Sequence, residues 1–274
     1  MQVATKTVEK TVDYKVGQVL YIDGEKADVE IETWDKQKVK VKIELISKHV
    51  VKEVAKRDLN ALKYNVESVG KKITVRNYVE PTKDKTKRES IFKVLYVLTI
   101  PEDCPVNLRN HFGTANIKNL KKDLDVKSEF CEIQLDNIQG RIGVETRFGD
   151  VEGDQLHGPM TIESVRSDIT LSHIHGPVNI NAKYGKIKID ANNRLLDLNI
   201  KAEKTDIVFL NPAMETNSFD LTAYYGTIET PDFMRFDFKE KNATLNKAEL
   251  NLPEQEGKVS IQTSFGNIVV LRVE

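Results

Sequence analysis

The chain has 274 residues, 39% of them hydrophobic and 30% charged, with 41 basic against 42 acidic side chains. That length accommodates one or two domains with proper cores, and the near-zero net charge excludes a global electrostatic bias toward nucleic acid or membrane surfaces. No run of 18 apolar residues occurs, so no segment reads as a helical membrane span.

The start, Met1-Gln2-Val3-Ala4-Thr5-Lys6, lacks a signal-type apolar stretch. Two readings follow: a cytoplasmic protein, or a mature form whose leader was removed and a Met added. Val29-Glu30-Ile31-Glu32-Thr33-Trp34-Asp35 and Val39-Lys40-Val41-Lys42-Ile43-Glu44-Leu45 alternate apolar and polar side chains across Asp35-Lys36-Gln37-Lys38. This predicts a hairpin with one wet face. Val50, Val51, Val54, Ala55, Leu59 and Leu62 follow helical spacing, so a helix is expected over about 48–62 with Ser47 as N-cap. Strands over 72–79 and 92–100 follow, divided by a charged loop that contains Lys83-Asp84-Lys85-Thr86-Lys87-Arg88-Glu89. No aromatic residue interleaves that basic run, so it reads as a solvated loop and not as a nucleic-acid site. Residues 1–100 are expected to form a β-rich α+β cap with one helix, and 101–274 a run of solenoid repeats.

The repeats are marked by an aromatic-led corner. Phe112-Gly113-Thr114 recurs as Phe130-Cys131-Glu132, Phe148-Gly149-Asp150, Arg166-Ser167-Asp168 and Tyr184-Gly185-Lys186, always 18 residues on. Leu108, Val126, Val144, Ile162 and Ile180 precede the corners, while Ile117, Ile133, Val151, Ile169 and Ile187 follow them. A second turn carries Gly140, Gly158 and Gly176 behind the apolar column Leu120, Ile138, Leu156 and Ile174. Eighteen residues are too few for a strand–helix–strand unit, which needs roughly 30. They suffice for one coil of a β-solenoid, stacked on its neighbours about 4.8 Å away. The six-residue apolar step of a left-handed hexapeptide solenoid is missing. The expected fold class is therefore mainly β: a single-stranded right-handed parallel β-helix. Looser copies follow at Lys204-Thr205-Asp206, Tyr225-Gly226-Thr227 and Phe265-Gly266-Asn267, with a coil lacking the aromatic corner expected near Thr244-Leu245.

Three features invite a chemical reading. Glu132, Asp150 and Asp168 occupy equivalent corner positions, and such stacked carboxylates could recruit Ca²⁺. Turn chemistry accounts for them equally well, because an Asp after Gly or Ser bonds nearby backbone amides. His157 and His175 form a second column, with His173 beside it. Two imidazoles one coil apart could share a transition metal, but Gln139 takes the next equivalent place. Solvated turn residues explain the same column. Trp34 at its turn is a candidate sugar-stacking platform, or else a packing residue. Catalysis by an acid pair needs a distinct partner across one bond, and the repeat supplies only equivalent positions, so no catalytic residues are assigned. Cys104 and Cys131 fall on different sides of the coil and are expected to be free, partly buried thiols.

The segment Val29–Asp35 and the Phe-Gly-Asp and Tyr-Gly-Lys corners resemble the "putative adhesin" family of bacterial β-strand-repeat domains, common in Bacteroidetes and of unknown function. The similarity covers most of the chain, chiefly 105–274. It implies an exported protein at the periplasm or cell surface. Together with the repeat architecture and the absence of a catalytic constellation, it gives the expectation of a non-catalytic protein that works without a cofactor and presents an elongated face to a protein or glycan of the envelope. A carbohydrate-active enzyme using the stacked acids is the first alternative. An envelope scaffold is the second, associating through terminal coils with Asn267–Val273 as the edge strand.

Overall fold

A strict period demands that each strand lie parallel to its own counterpart one repeat away. The computed structural model, which describes residues 1–81, 88–191, 197–213, 216–252 and 257–272, contains such ladders. The protein is mainly β, with a single helix among the described residues. It divides into two compact units, Met1–Glu132 and Ile133–Glu274.

Unit 1 holds β1 (Gln2–Asp13), β2 (Val19–Glu25), β3 (Ala27–Trp34), β4 (Lys38–His49), α1 (Lys52–Leu59), β5 (Leu62–Val69), β6 (Lys72–Val79), β7 (Ile91–Pro101) and β8 (Val106–Lys118). It also holds the start of β9 (Leu124–Gln139). Strands pair in the order β1-β4-β7-β3-β8, with β3 parallel to both its neighbours. A second series runs β5-β6-β2-β8. The expected β3–β4 hairpin does not form. β7 lies between them, parallel to β3 and antiparallel to β4, because its apolar stretch with Tyr96, Leu98 and Ile100 is wholly buried and claims the central place.

The helix is shorter than its apolar spacing implied. Ser47 belongs to β4 and is buried, and Val51 is the N-cap without a side-chain bond. The ladder of β4 with β7 continues through Ile46 and Ser47 to Lys48, opposite Ile91, before the helix can start. Of the charged loop, residues 82–87 lie outside the described residues.

The structure also exposes a copy of the corner ahead of the recognised repeats. Lys26 turns the chain at φ 53°, as Phe112 does at φ 59°. Its flanking strands β2 and β3 lie parallel to the two halves of β8. A lysine in place of the aromatic conceals it. Ala115, and not Ile117, takes the buried position three residues after Phe112. Ile117 sits one step further, opposite Ile31.

Unit 2 contains the rest of β9, then β10 (Ile142–Arg147), β11 (Val151–His157), β12 (Met160–Val165), β13 (Ile169–Ser172), β14 (Val178–Asp190), β15 (Leu198–Leu210), β16 (Asn217–Tyr224), β17 (Ile228–Glu229), β18 (Asp237–Lys241), β19 (Leu245–Leu250), β20 (Gly257–Ser264) and β21 (Ile268–Leu271). One parallel ladder runs β10-β12-β14-β15-β20-β16, and another β9-β11-β13-β14-β15-β21-β17. In the regular copies the register is the 18-residue offset itself, as in Ile142↔Met160 and Val151↔Ile169. Val144, Ile162 and Ile180 thereby stack as one buried column, and Ile138, Leu156 and Ile174 belong to another.

Two expectations change in this unit. The final strands β20 and β21 are inserted between β15 and the β16–β17 pair, so chain order and stacking order differ. Within the expected edge Asn267–Val273, the strand Ile268–Leu271 is accordingly no edge, and Val273 lies outside the described residues. The segment near Thr244-Leu245 is not a coil either, since β18 and β19 pair antiparallel and close the ladder against β16. The strand β18, Asp-Phe-Lys-Glu-Lys, pairs only with β19 among the described strands. It is short and charged, the composition that blunts an exposed edge.

Cys104 and Cys131 are free and buried. Burial pushes the Cys104 thiol up to about 12 and the Cys131 thiol up to about 11. Thiolate is the reactive form, so alkylation of the native protein at mildly alkaline pH is expected to be far slower than in denaturant, where both thiols titrate. Rapid native labelling of either would contradict this burial.

Candidate functional site

Every corner residue lies in the left-handed region: in unit 2, Phe148, Arg166, Tyr184, Lys204, Tyr225 and Phe265 have φ of 50–60°. That conformation is costly for bulky side chains, and the neighbouring coil compensates. The Arg166 guanidinium lies 5.3 Å from the Phe148 ring and 5.8 Å from Tyr184, Lys204 covers Tyr184 at 5.1 Å, and Tyr225 stacks on Phe265 at 5.0 Å. Although these rings are 40–57% exposed, Phe148 and Tyr184 carry cations on their faces, and Tyr225 and Phe265 each cover one face of the other. These contacts make the column a stabilising ladder, each being worth about 0.5–1 kcal/mol.

The acids occupy the same corner. Asp150 Oδ1 accepts the Asp168 amide at 2.9 Å, Asp168 Oδ1 the Lys186 amide at 2.8 Å, and Asp206 Oδ1 the Asn267 amide at 2.8 Å. Asn267 Oδ1 in turn accepts the Thr227 amide at 2.9 Å. Each side chain thus caps the next coil's backbone, and an amide oxygen serves as well as a carboxylate. Glu132 closes unit 1 as an exposed residue of β9.

His157 and His175 meet in a parallel bridge with ring centroids 6.2 Å apart, edge to face. Gln139 lies opposite His157 on the other side. His173 sits at a second left-handed corner, φ 48°, in line with Gln155 at φ 52°. Its Nδ1 lies 2.7 Å from Asp154 Oδ1, which also accepts the Ser172 hydroxyl at 2.7 Å. Burial raises the Asp154 carboxyl, but the Ser172 and His173 hydrogen bonds outweigh it and hold the carboxyl below its usual range. Serine, histidine and aspartate are together here, yet the hydroxyl donates to the carboxylate and not to the imidazole. The imidazole is therefore not placed to take the hydroxyl proton, and the order of contacts differs from a nucleophile–base–orienter relay. Among the described residues no three His, Cys, Asp or Glu side chains converge as metal ligands.

Trp34 is partly buried; its indole N–H donates to the Lys38 carbonyl at 2.8 Å, and Lys36 lies 5.1 Å over its ring. Both the polar handle and a ring face are thus used within the β3–β4 connection.

The surface that sequence reasoning missed is a trough of about 440 Å³ in unit 2. Residues three before each corner, Glu145, Glu163, Asn181 and Lys201, line one side, and those immediately before it, Arg147, Val165, Lys183 and Glu203, line the other. The floor runs along Thr146, Ser164, Ala182 and Ala202. Lys183 and Glu203 pair at 3.2 Å. Acids dominate one end and lysines the other, over four rungs that span about 14 Å at the parallel-strand spacing. The pattern was open to view, since outward positions alternate with buried ones. A solvated face and a trough share that alternation, and depth depends on side-chain size across four strands far apart in sequence.

Corner ladders, capped amides and in-register parallel strands belong to a mainly β protein. The Toastrack DUF4097 family model matches residues 18–271, and the chain belongs to that family. Solved structures similar to it include "a putative adhesin" from Parabacteroides merdae, at 12% identity and TM-score 0.42, covering 100% of this chain and 97% of that one. A "putative lipid binding protein" from Parabacteroides distasonis follows, at 11% identity and TM-score 0.39, with 100% and 97% covered. A "putative cell adhesion protein" from Clostridium sporogenes is also similar, at 12% identity and TM-score 0.30, with 98% and 100% covered. Among curated proteins no match is found. No helix among the described residues is long and apolar enough to cross a membrane.

Proposed function

We propose that the chain is a non-catalytic, exported binding protein, a right-handed parallel β-helix that presents the unit 2 trough to a glycan or protein of the cell envelope. The observation that carries this reading is the division of labour among its outward side chains. The corner acids that first suggest chemistry are engaged in coil-to-coil hydrogen bonds, whereas the trough offers volume, both charge signs and a small-residue floor. Concave sites with a few placed polar groups are where ligands bind. In this reading the protein works without a metal or other cofactor, at the periplasm or cell surface.

The enzyme alternative requires the acids to be available to substrate, and their amide contacts speak against it. The scaffold alternative requires an open coil edge at the C-terminus, and the insertion of β21 between β15 and β17 speaks against that.

The test is a glycan array probed with the purified chain and with a Lys183→Glu/Lys201→Glu variant. Binding to a subset of glycans, reduced roughly tenfold or more in the variant, with no new reducing ends released from the bound glycans, is the expected result. An empty array rejects the glycan version, binding unchanged in the variant rejects the trough, and released reducing ends restore the enzyme.

A further inference from the structure

Unit 1 has a cleft of its own, about 320 Å³, where the Lys26 corner meets the ends of β4 and β7 and the Phe112 corner of β8. Three lysines line it: Lys26, Lys48 and Lys93. Asp28 pairs with Lys93 at 2.6 Å. Among the described residues Lys26 and Lys48 have no carboxylate partner, so the cleft carries an excess of two positive charges over its one acid.

Its aromatic wall differs from the ladder of unit 2. Phe112 is 49% exposed, and Phe130 stacks on one face of its ring at 4.9 Å and an interplanar angle of 2°. The other face looks toward the Lys26 coil, where a lysine replaces the aromatic that would continue the stack. Among the described residues no ring or cation covers it. At the Arg166 corner of unit 2 the cation is instead flanked by the rings of Phe148 and Tyr184.

We propose that this cleft binds an acidic sugar, a pyranose bearing a carboxylate, with its C–H face on Phe112 and its carboxylate among Lys26, Lys48 and Lys93. The three elements of the wall each match one part of that ligand. The ring face takes apolar C–H groups, the ammonium groups take the negative charge, and the Asp28 carboxylate accepts from a ring hydroxyl. A neutral aromatic ligand leaves the lysines unused, and a bare phosphate leaves Phe112 unused. The volume lies at the small end of ligand sites and suits one or two sugar rings. The site is separate from the trough, and either can fail without the other.

Saturation-transfer NMR and competition titration with methyl glucuronide, methyl glucoside and inorganic phosphate test it. The glucuronide is expected to receive saturation on its ring protons and to bind at least roughly tenfold more tightly than the glucoside and than phosphate. Lys48→Glu, at a half-buried position, is expected to weaken glucuronide binding at least roughly tenfold with the melting temperature nearly unchanged. Phe112→Asn removes the ring while keeping a residue that tolerates a left-handed backbone, and is expected to weaken it similarly. Equal binding of the two sugars, equal binding of phosphate, no transfer to the glucuronide, or indifference to both substitutions overturns the proposal.

Discussion

Replacing Gly266 by alanine is expected to cost about 4 kcal/mol, the range of the most damaging single substitutions. A Cβ at this position would stand 2.1 Å from the Thr205 carbonyl oxygen and 2.7 Å from its carbon. Both atoms are backbone, so relief requires the coils to separate. Separation would break the ladders of β20 and β21 with β15 at once. Gly226 faces the same difficulty against the Gly266 carbonyl, at 1.9 Å, and Gly185 against Ser167, at 2.2 Å. The corner gives glycine this role through proximity and not through φ, for Gly266, Gly226 and Gly185 are absent from the left-handed set. Urea denaturation of the Gly266→Ala variant is the measurement, with Gly70→Asn as control. Gly70 has φ 57° and open space where a Cβ would stand, with no atom within 4 Å. Asn tolerates that conformation, so the control is expected to change little. A near-native midpoint for Gly266→Ala would remove the insertion of the last strands beside β15.

The second large effect is expected in unit 1, at Asp58. This buried carboxylate in the last turn of α1 accepts from Arg57 Nε at 2.9 Å and from the amides of Glu89 and Ser90, both at 3.1 Å. Burial raises its pKa, but the hydrogen bonds from Arg57, Ser90 and Glu89 prevail and bring it down to about 2. An unfolded Asp titrates near about 3.9. The depressed folded-state value means that folding favours the ionised form, so the stabilisation is fully present above the unfolded pKa. It is lost as pH falls from about 4 through about 2, and amounts to about 2 kcal/mol once the half-exposed Arg57 is discounted. Asp58→Ala leaves two amides without their acceptor and is expected to cost about 3 kcal/mol at neutral pH. Its stability should also fall less steeply between pH 4 and pH 2 than that of the unsubstituted protein. Equal slopes in acid denaturation would show that Asp58 is not the titrating group.

Much of the coil could be read directly. The period, the buried columns around Val144 and Leu156, the Gly158 and Gly176 turns and the position of Gln139 beside His157 all follow from spacing, because parallel stacking aligns identical positions of successive copies. The corner acids were legible as turn residues, though their bonds reach the next coil's amide and not their own turn. The Lys26 corner was hidden because a cation replaced the aromatic, and the trough because depth is a property of four strands together.

Local alternation and the 18-residue period were enough to establish strands, corners and inward faces. They could not establish which strand lies beside which outside the strict period, before Phe112 and after Tyr184. In those stretches β7 intervenes between β3 and β4, and β20–β21 between β15 and β16–β17. Period-2 patterning reports the face a residue shows and is silent about its lateral neighbour. That choice depends on long-range burial: Tyr96 and Leu98 placed centrally, and a Gly266 whose missing Cβ lets one particular coil approach.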